Sequence, residues 1–282
     1  MAASYQIGRV FGIPIRVHVT LLILLPFMAL DISQELGGRS FLWGIAAAVG
    51  LFACIALHEL GHSLVALRKG CRAREILLLP IGGIAQMDQM PERPADEFQV
   101  AIAGPAVSLA LGFLGLFLRD LLAGAQMIKP ALVAHMLGRV NIMLAVFNLL
   151  PSFPMDGGRV FRAWLTPRLG RVLATGIAAK TGRFLAIVFG VYGFFTMNIF
   201  LVLIALFIYQ SAAAEYRMVR IQEAARQTAY PSWAPAEKAW PYEEGEVEVS
   251  PPPYRRGRAS SVFVRPLRAQ HDLFDDLFEK WR

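Results

Sequence analysis

Long apolar runs separated by short polar and basic stretches dominate the first 216 positions of the chain. Six of them offer room for the ~20 residues of a membrane-spanning helix once tilt and edge error are allowed for. They are approximately Val17–Ile32, Leu42–Leu67, Phe98–Leu118, Leu132–Leu150, Phe184–Phe195 with an Ala-rich turn upstream, and Ile199–Ala214. The fifth is the least regular, and its alternative reading starts near Leu173 and breaks at Gly182. Two further apolar pieces are too short to span. Ile76–Met87 (ILLLPIGGIAQM) is interrupted by Pro80 and Gly82-Gly83, which predicts a short strand or a re-entrant hairpin against the membrane. Tyr5–Val19 (YQIGRVFGIPIRVHV) predicts short strand-like pieces before the first span. The expected fold class is an all-α polytopic membrane protein, six transmembrane helices with a short membrane-associated β-hairpin or sheet.

The pattern changes in the last quarter of the chain. Pro231, Pro235, Pro241 and Pro251–Pro253 exclude a long helix there. The acidic Glu243-Glu244-Gly245-Glu246 and the basic Arg255-Arg256-Gly257-Arg258 read as solvated sequence. Leu273, Phe274, Leu277, Phe278 and Trp281 recur at helical spacing, so a short amphipathic helix is expected at 271–281, as a docking element for a regulatory partner. The chain therefore divides into a six-span core, 1–216, and a Pro-rich charged cytoplasmic tail, 217–282.

Composition agrees with the pattern. The chain is 56% hydrophobic and 17% charged, with a mean hydropathy of +0.48; soluble domains carry roughly 45–50% apolar residues. The first 16 residues lack the basic n-region, short apolar core and small-residue cleavage site of a signal peptide, so the first span is expected to be retained. The net charge is +7, and its placement matters more than its sum. With a cytoplasmic N-terminus, Arg9, Arg16, Arg68, Lys69, Arg72, Arg74, Arg93, Arg159, Arg162, Arg168, Arg171, Lys180 and Arg183 fall inside. Only Arg39, Arg119 and Lys129 fall outside, with Arg139 just within the fourth span. That bias places both termini in the cytoplasm. Arg159 and Arg162 read as interface anchors. No compact basic fold points to nucleic acid. The two cysteines, Cys54 and Cys71, do not make a disulfide framework, and Cys54 reads as a small packing residue.

Chemistry enters inside the second apolar run, at Ala56-Leu57-His58-Glu59-Leu60-Gly61-His62-Ser63-Leu64. Ionisable groups at such depth cost roughly 2.5–3.5 kcal/mol each, so they mark function. Imidazoles four residues apart lie about 40° apart on one helix face. His58 and His62 can both reach one zinc ion, and Glu59 between them can act as general base on a water. A catalytic zinc expects a third protein ligand and an open position. The best candidate lies in Asn148-Leu149-Leu150-Pro151-Ser152-Phe153-Pro154-Met155-Asp156-Gly157-Gly158-Arg159. Two prolines and two glycines there bend the chain, and unwound backbone at membrane depth must line a cavity or water. Asp156 sits on the bend and can turn toward the metal. Asn148 offers an amide donor suited to polarising a carbonyl.

These elements together resemble the site-2 protease family of intramembrane zinc metalloproteases. HELGH at His58–His62 is similar to the family's first signature, and NLLPSFPMDGGR at Asn148–Arg159 to its second. PIGGIAQM at Pro80–Met87 resembles its membrane-associated strand, AGPAVSL at Ala103–Leu109 its third-span packing motif, and FGIPIRVHVT at Phe11–Thr20 its entry to span one. The resemblance runs from about Gly8 to Tyr216. It implies that His58, His62 and Asp156 bind Zn2+, that Glu59 is the catalytic base and acid, and that Asn148 orients the substrate carbonyl. It further implies that Gly82 and Gly83 belong to a strand that pairs with unwound substrate, and that spans five and six form a movable lateral gate. The implied activity is zinc-dependent endoproteolysis of transmembrane segments of single-span proteins, in a multi-pass protein of a prokaryotic cytoplasmic membrane. The alternative is a catalytically silent scaffold or metal-handling protein that keeps the fold. The loop between spans two and three, roughly 30 residues, is too short for an inserted PDZ domain. The tail does not read as a pair of CBS modules. Gly104-Pro105 read as helix packing and a kink rather than chemistry.

Overall fold

The structure, a computed structural model, describes residues 4–35, 41–80, 82–87, 91 and 93–229, side chains at 35 and 226–229 apart. The amphipathic helix expected at 271–281 lies outside the described residues.

Strand β1 (Ser4–Val10) turns at Phe11 and Gly12, which take φ of 51° and 82°, and returns antiparallel as β2 (Ile13–His18). The chain then enters helices α1 (Val19–Glu35) and α2 (Phe41–Arg68) before it reaches β3 (Ala73–Leu79). β3 lies parallel to β2, with Ile15 opposite Ile76. A parallel pair needs a long crossover, and the two helices supply it. β3 reverses into β4 (Gly82–Met87), so the sheet order is β1-β2-β3-β4 and β4 is an edge. Ile13, Val17, Leu21, Phe52, Leu60, Ile76 and Leu78 form one buried cluster that seats the sheet on α2. Both short apolar pieces of the sequence are therefore strands of a single sheet, and the sheet brings β4 beside the metal-motif helix.

Helix α3 (Pro94–Gly124) starts with a proline, where the missing N–H costs nothing. Asp96 and Glu97 follow in its first turn, where negative charge suits the helix dipole. α4 (Ile128–Asn148) packs along α3, and α2 packs on both. After a loop whose Phe153–Pro154 bond is cis come α5 (Asp156–Leu169), α6 (Arg171–Phe195) and α7 (Ile199–Ala229). Among the described residues five helices, α2, α3, α4, α6 and α7, are long and apolar enough to cross a membrane. α1 is apolar but has 17 residues. This is a multi-pass membrane protein, mostly helical, with a small four-stranded sheet.

Three details correct the sequence reading. The break at Gly182 is absent, for α6 runs unbroken from Arg171 to Phe195. A Cβ at 182 would stand 2.7 Å from Ser152 Oγ, so the glycine answers a loop packed against the helix. Helix α5 carries no long apolar run, so the pattern of apolar runs does not predict it. Asp156 is thus the first residue of a helix and not a point on an open bend. Arg162 is no interface anchor: it is 2% exposed and bonded to two carboxylates.

Candidate metal centre

α2 carries both imidazoles into the interior. His58 and His62 are 3% and 6% exposed. Their Nε2 atoms stand 3.2 Å apart. The α5 N-terminus brings Asp156 Oδ2 to 3.3 Å from His58 Nε2 and 3.2 Å from His62 Nε2. Three donor atoms thus form a nearly equilateral triangle. A tetrahedral zinc with bonds of about 2.0–2.1 Å requires ligand separations of about 3.3–3.4 Å, so the triangle is of zinc size.

The far side of each ring explains why the triangle needs a cation. The Val100 carbonyl can only accept, so His62 Nδ1 donates to it at 2.7 Å. His58 Nδ1 pairs with Ser108 Oγ at 2.8 Å. In a neutral ring whose Nδ1 keeps the proton, Nε2 bears a bare lone pair. Two such lone pairs and a carboxylate oxygen then face one another, an arrangement that a divalent cation relieves. The Asp156 carboxylate adds an anionic oxygen to the two ring nitrogens, a donor set that suits zinc. Among the described residues these three side chains form the one cluster of His, Cys, Asp or Glu able to grip a metal ion.

Helix α3 is the support that sequence reasoning did not find. It supplies both Nδ1 partners, Val100 and Ser108, and also the space. A Cβ on Gly104 would lie 2.1 Å from His62 Nε2. AGPAVSL is a packing motif, as expected, but what it packs against is an imidazole of the centre. The signal was present as small residues at 104 and 108, one turn apart; their target could not be read without knowing which face of α2 lay opposite. Gly104→Ala is expected to push His62 off the shared point and weaken zinc binding by about tenfold to a hundredfold, the usual cost of disturbing ligand support. Zinc titration of the purified variant against wild type checks this.

Glu59 is turned toward the sheet. Its Oε2 accepts the Ala85 N–H of β4 at 3.2 Å. A Cβ on Gly83 would fall 2.7 Å from Glu59 Cγ, so only a glycine lets β4 lie this close to α2. Asn148, the last residue of α4, brings Nδ2 to 3.4 Å from His58 Nε2. His58, Glu59, His62, Asn148 and Asp156 line one cavity of about 710 Å³ together with Gly82, Gly83 and Ala85. Leu203, Ile204 and Phe207 of α7 close another side of it. Every site residue expected from the sequence thus borders the same space. Cys54 is elsewhere, lining a separate apolar cavity among α2, α3 and α4.

Comparison with known proteins adds the lineage. The family model described as Peptidase family M50 matches residues 46–131 and 122–189. The chain belongs to peptidase family M50. A zinc metalloprotease of Methanocaldococcus jannaschii is 39% identical over 222 residues, which are 79% of this chain and 63% of that protein. The putative zinc metalloprotease Rip3 of Mycobacterium tuberculosis is 34% identical over 261 residues, 83% of this chain and 66% of its own length. The chain thus spans just under two thirds of these curated relatives. Among solved structures, the site-2 protease from Methanocaldococcus jannaschii superposes with a TM-score of 0.54 at 36% identity, covering 76% of this chain and 95% of that one. The M50 chain thus shares its fold with a site-2 protease, and its donor triangle suits the metal that its relatives' names carry.

Proposed function

We propose that the protein is a zinc-dependent intramembrane endopeptidase that cleaves transmembrane segments of single-span proteins. Its termini are on the cytoplasmic side, where the basic loops lie. The observation that carries this reading is the triangle of His58, His62 and Asp156 donors with Glu59 beside it, opening into a cavity that an edge strand borders. His58, His62 and Asp156 hold the ion. When bound, zinc supplies a Lewis acid and makes water acidic enough to attack near neutral pH.

The chain's own residues do the rest. The Glu59 carboxylate takes the proton of the attacking water and hands it to the leaving nitrogen. The Ala85 N–H holds one oxygen of that carboxylate, and Glu59 lines the cavity. The Asn148 amide donates to the scissile carbonyl oxygen and follows it as it gains charge. A helical substrate hides its peptide bonds in its own hydrogen bonds, so a segment must unwind before attack. The exposed edge of β4, with Gly82 and Gly83, offers replacement backbone partners. Leu203, Ile204 and Phe207 give the cavity an apolar wall suited to side chains from a transmembrane segment.

The test is cleavage in proteoliposomes containing the full chain and single-span proteins that accumulate in cells carrying Glu59→Gln. Fragments cut within the span, lost on treatment with a zinc chelator and restored by zinc alone, are expected. Intact single-span proteins under all conditions would remove the reading and favour the silent scaffold.

A further inference from the structure

Among the described residues Arg162 is the largest fully buried side chain, yet the chemistry proposed for the centre does not use it. It leaves α5 and meets three other parts of the chain. Its Nε and Nη2 both donate to Glu97 Oε1 of α3, the former at 2.8 Å. Its Nη1 donates to Glu215 Oε1 of α7 at 2.8 Å. Its guanidinium carbon lies 5.0 Å from the centroid of Phe153, in the loop that leads to Asp156. A guanidinium presents five donors in a rigid fork and serves two carboxylates and a ring at once.

The two ion pairs differ in a way that suggests different tasks. The Arg162 and Glu97 side chains are 2% and 4% exposed, while that of Glu215 is 34% exposed. The buried pair locks α5, which bears Asp156, to α3, which bears both imidazole partners. The outer pair reaches a helix that otherwise meets the metal-bearing part of the chain at the small Phe153 cluster, through Ala212 and Tyr216. Among the described residues, α7 packs extensively only on α6, and α6 only on α7 and α5. Both spans therefore hang from the metal-bearing helix. Yet Leu203, Ile204 and Phe207 of α7 wall the cavity, so a polypeptide entering on that side must displace α7.

We propose that Glu97, Arg162 and Glu215 form a latch: Arg162 is a positioning residue anchored by Glu97, and Glu215 is the separable arm that holds α7 closed over the cavity. The inference takes from the proposed function only that a polypeptide enters this cavity; the latch itself does not require cleavage. Breaking the outer pair leaves Arg162 with its buried partner, so the centre stays intact while α7 gains freedom. Tyr216, the next residue of α7, is stacked on by Arg220 and is not part of the latch.

The experiment is a spin-label distance measurement on the full chain in lipid nanodiscs. Labels go on Leu206→Cys of α7 and Phe113→Cys of α3, both exposed positions, with Cys54 and Cys71 replaced by alanine. Glu215→Gln is expected to raise the population at longer distances by roughly fivefold, the scale of one partly exposed ion pair, with zinc content unchanged. Glu215→Asp, which keeps the charge, should restore most of the closed population. Arg16→Gln breaks the Arg16–Glu75 pair between β2 and β3 and should not move the distribution. Superimposable distributions for Glu215→Gln and wild type, or an equal shift in Arg16→Gln, would overturn the latch. So would a Glu215→Asp variant as open as Glu215→Gln. None of these readings depends on proteolysis, so the latch and the proposed activity stand or fall separately.

Discussion

Glu59→Gln is expected to abolish cleavage, by about a thousandfold or more, while leaving zinc in place. The amide keeps the size of the carboxylate and can still pair with the Ala85 N–H through its oxygen, so β4 should stay seated on α2. What it lacks is the ability to take and return a proton. General acid–base groups contribute about 10²–10⁴ in rate, and here one group serves both directions of transfer, which places the expected loss at the upper part of that range. Side-by-side measurement of fragment yield and zinc per chain reads both halves of the prediction. A Glu59→Gln protein that cleaves at the wild-type rate would remove Glu59 from the chemistry. Loss of cleavage together with zinc would show instead that the residue builds the centre.

Asp156→Ala is expected to have an effect of similar size by the opposite route. It removes the only donor of the triangle that comes from outside α2. The two imidazoles remain held by Val100 and Ser108, so a weak two-ligand site persists. Zinc affinity should fall by well over a hundredfold, since even residues that merely support a ligand are worth about tenfold to a hundredfold. Cleavage should fall with it and return in part at high zinc concentration. Competition with a chromophoric chelator gives the affinity directly. The variant should still insert and fold, because the sheet, α2 and α3 do not depend on that carboxylate. An affinity within a few-fold of wild type would mean that another group supplies the third bond.

How much of this could be read from residues alone follows from the kind of information each feature carries. The His58–His62 pair is local: four residues on a helix fix the geometry of two donors, and nothing distant is needed. The strands were legible for the same reason, since pieces too short to span and interrupted by Gly and Pro have few other options. Asp156 and Asn148 lie far from that pair in sequence, where periodicity cannot pair segments; the need for a third ligand and the Pro-Gly bend make them candidates, and the resemblance of NLLPSFPMDGGR implies their roles. Arg162 shows the limit. A basic residue in a loop between spans looks like an interface anchor, because the rule behind that reading concerns which side of the membrane it lies on. Its burial depends on α5 being a helix and on Glu97 and Glu215 lying opposite, and those facts are tertiary. Gly182 fails likewise: within an apolar run a glycine signals either a break or a close neighbour, and only the position of Ser152 decides. Ser108 and Gly104 were visible as small residues, but their role belongs to a ring on another helix.

The central claim is that one zinc ion joins α2 to α5 through two imidazoles and one carboxylate. Zinc K-edge X-ray absorption of the purified, membrane-reconstituted chain tests it most directly. The account predicts one equivalent of zinc with two imidazole nitrogens and carboxylate oxygen at about 2.0–2.2 Å, and loss of the carboxylate contribution in Asp156→Ala. A protein that takes up no zinc, or whose absorption spectrum is the same in wild type and Asp156→Ala, would contradict it.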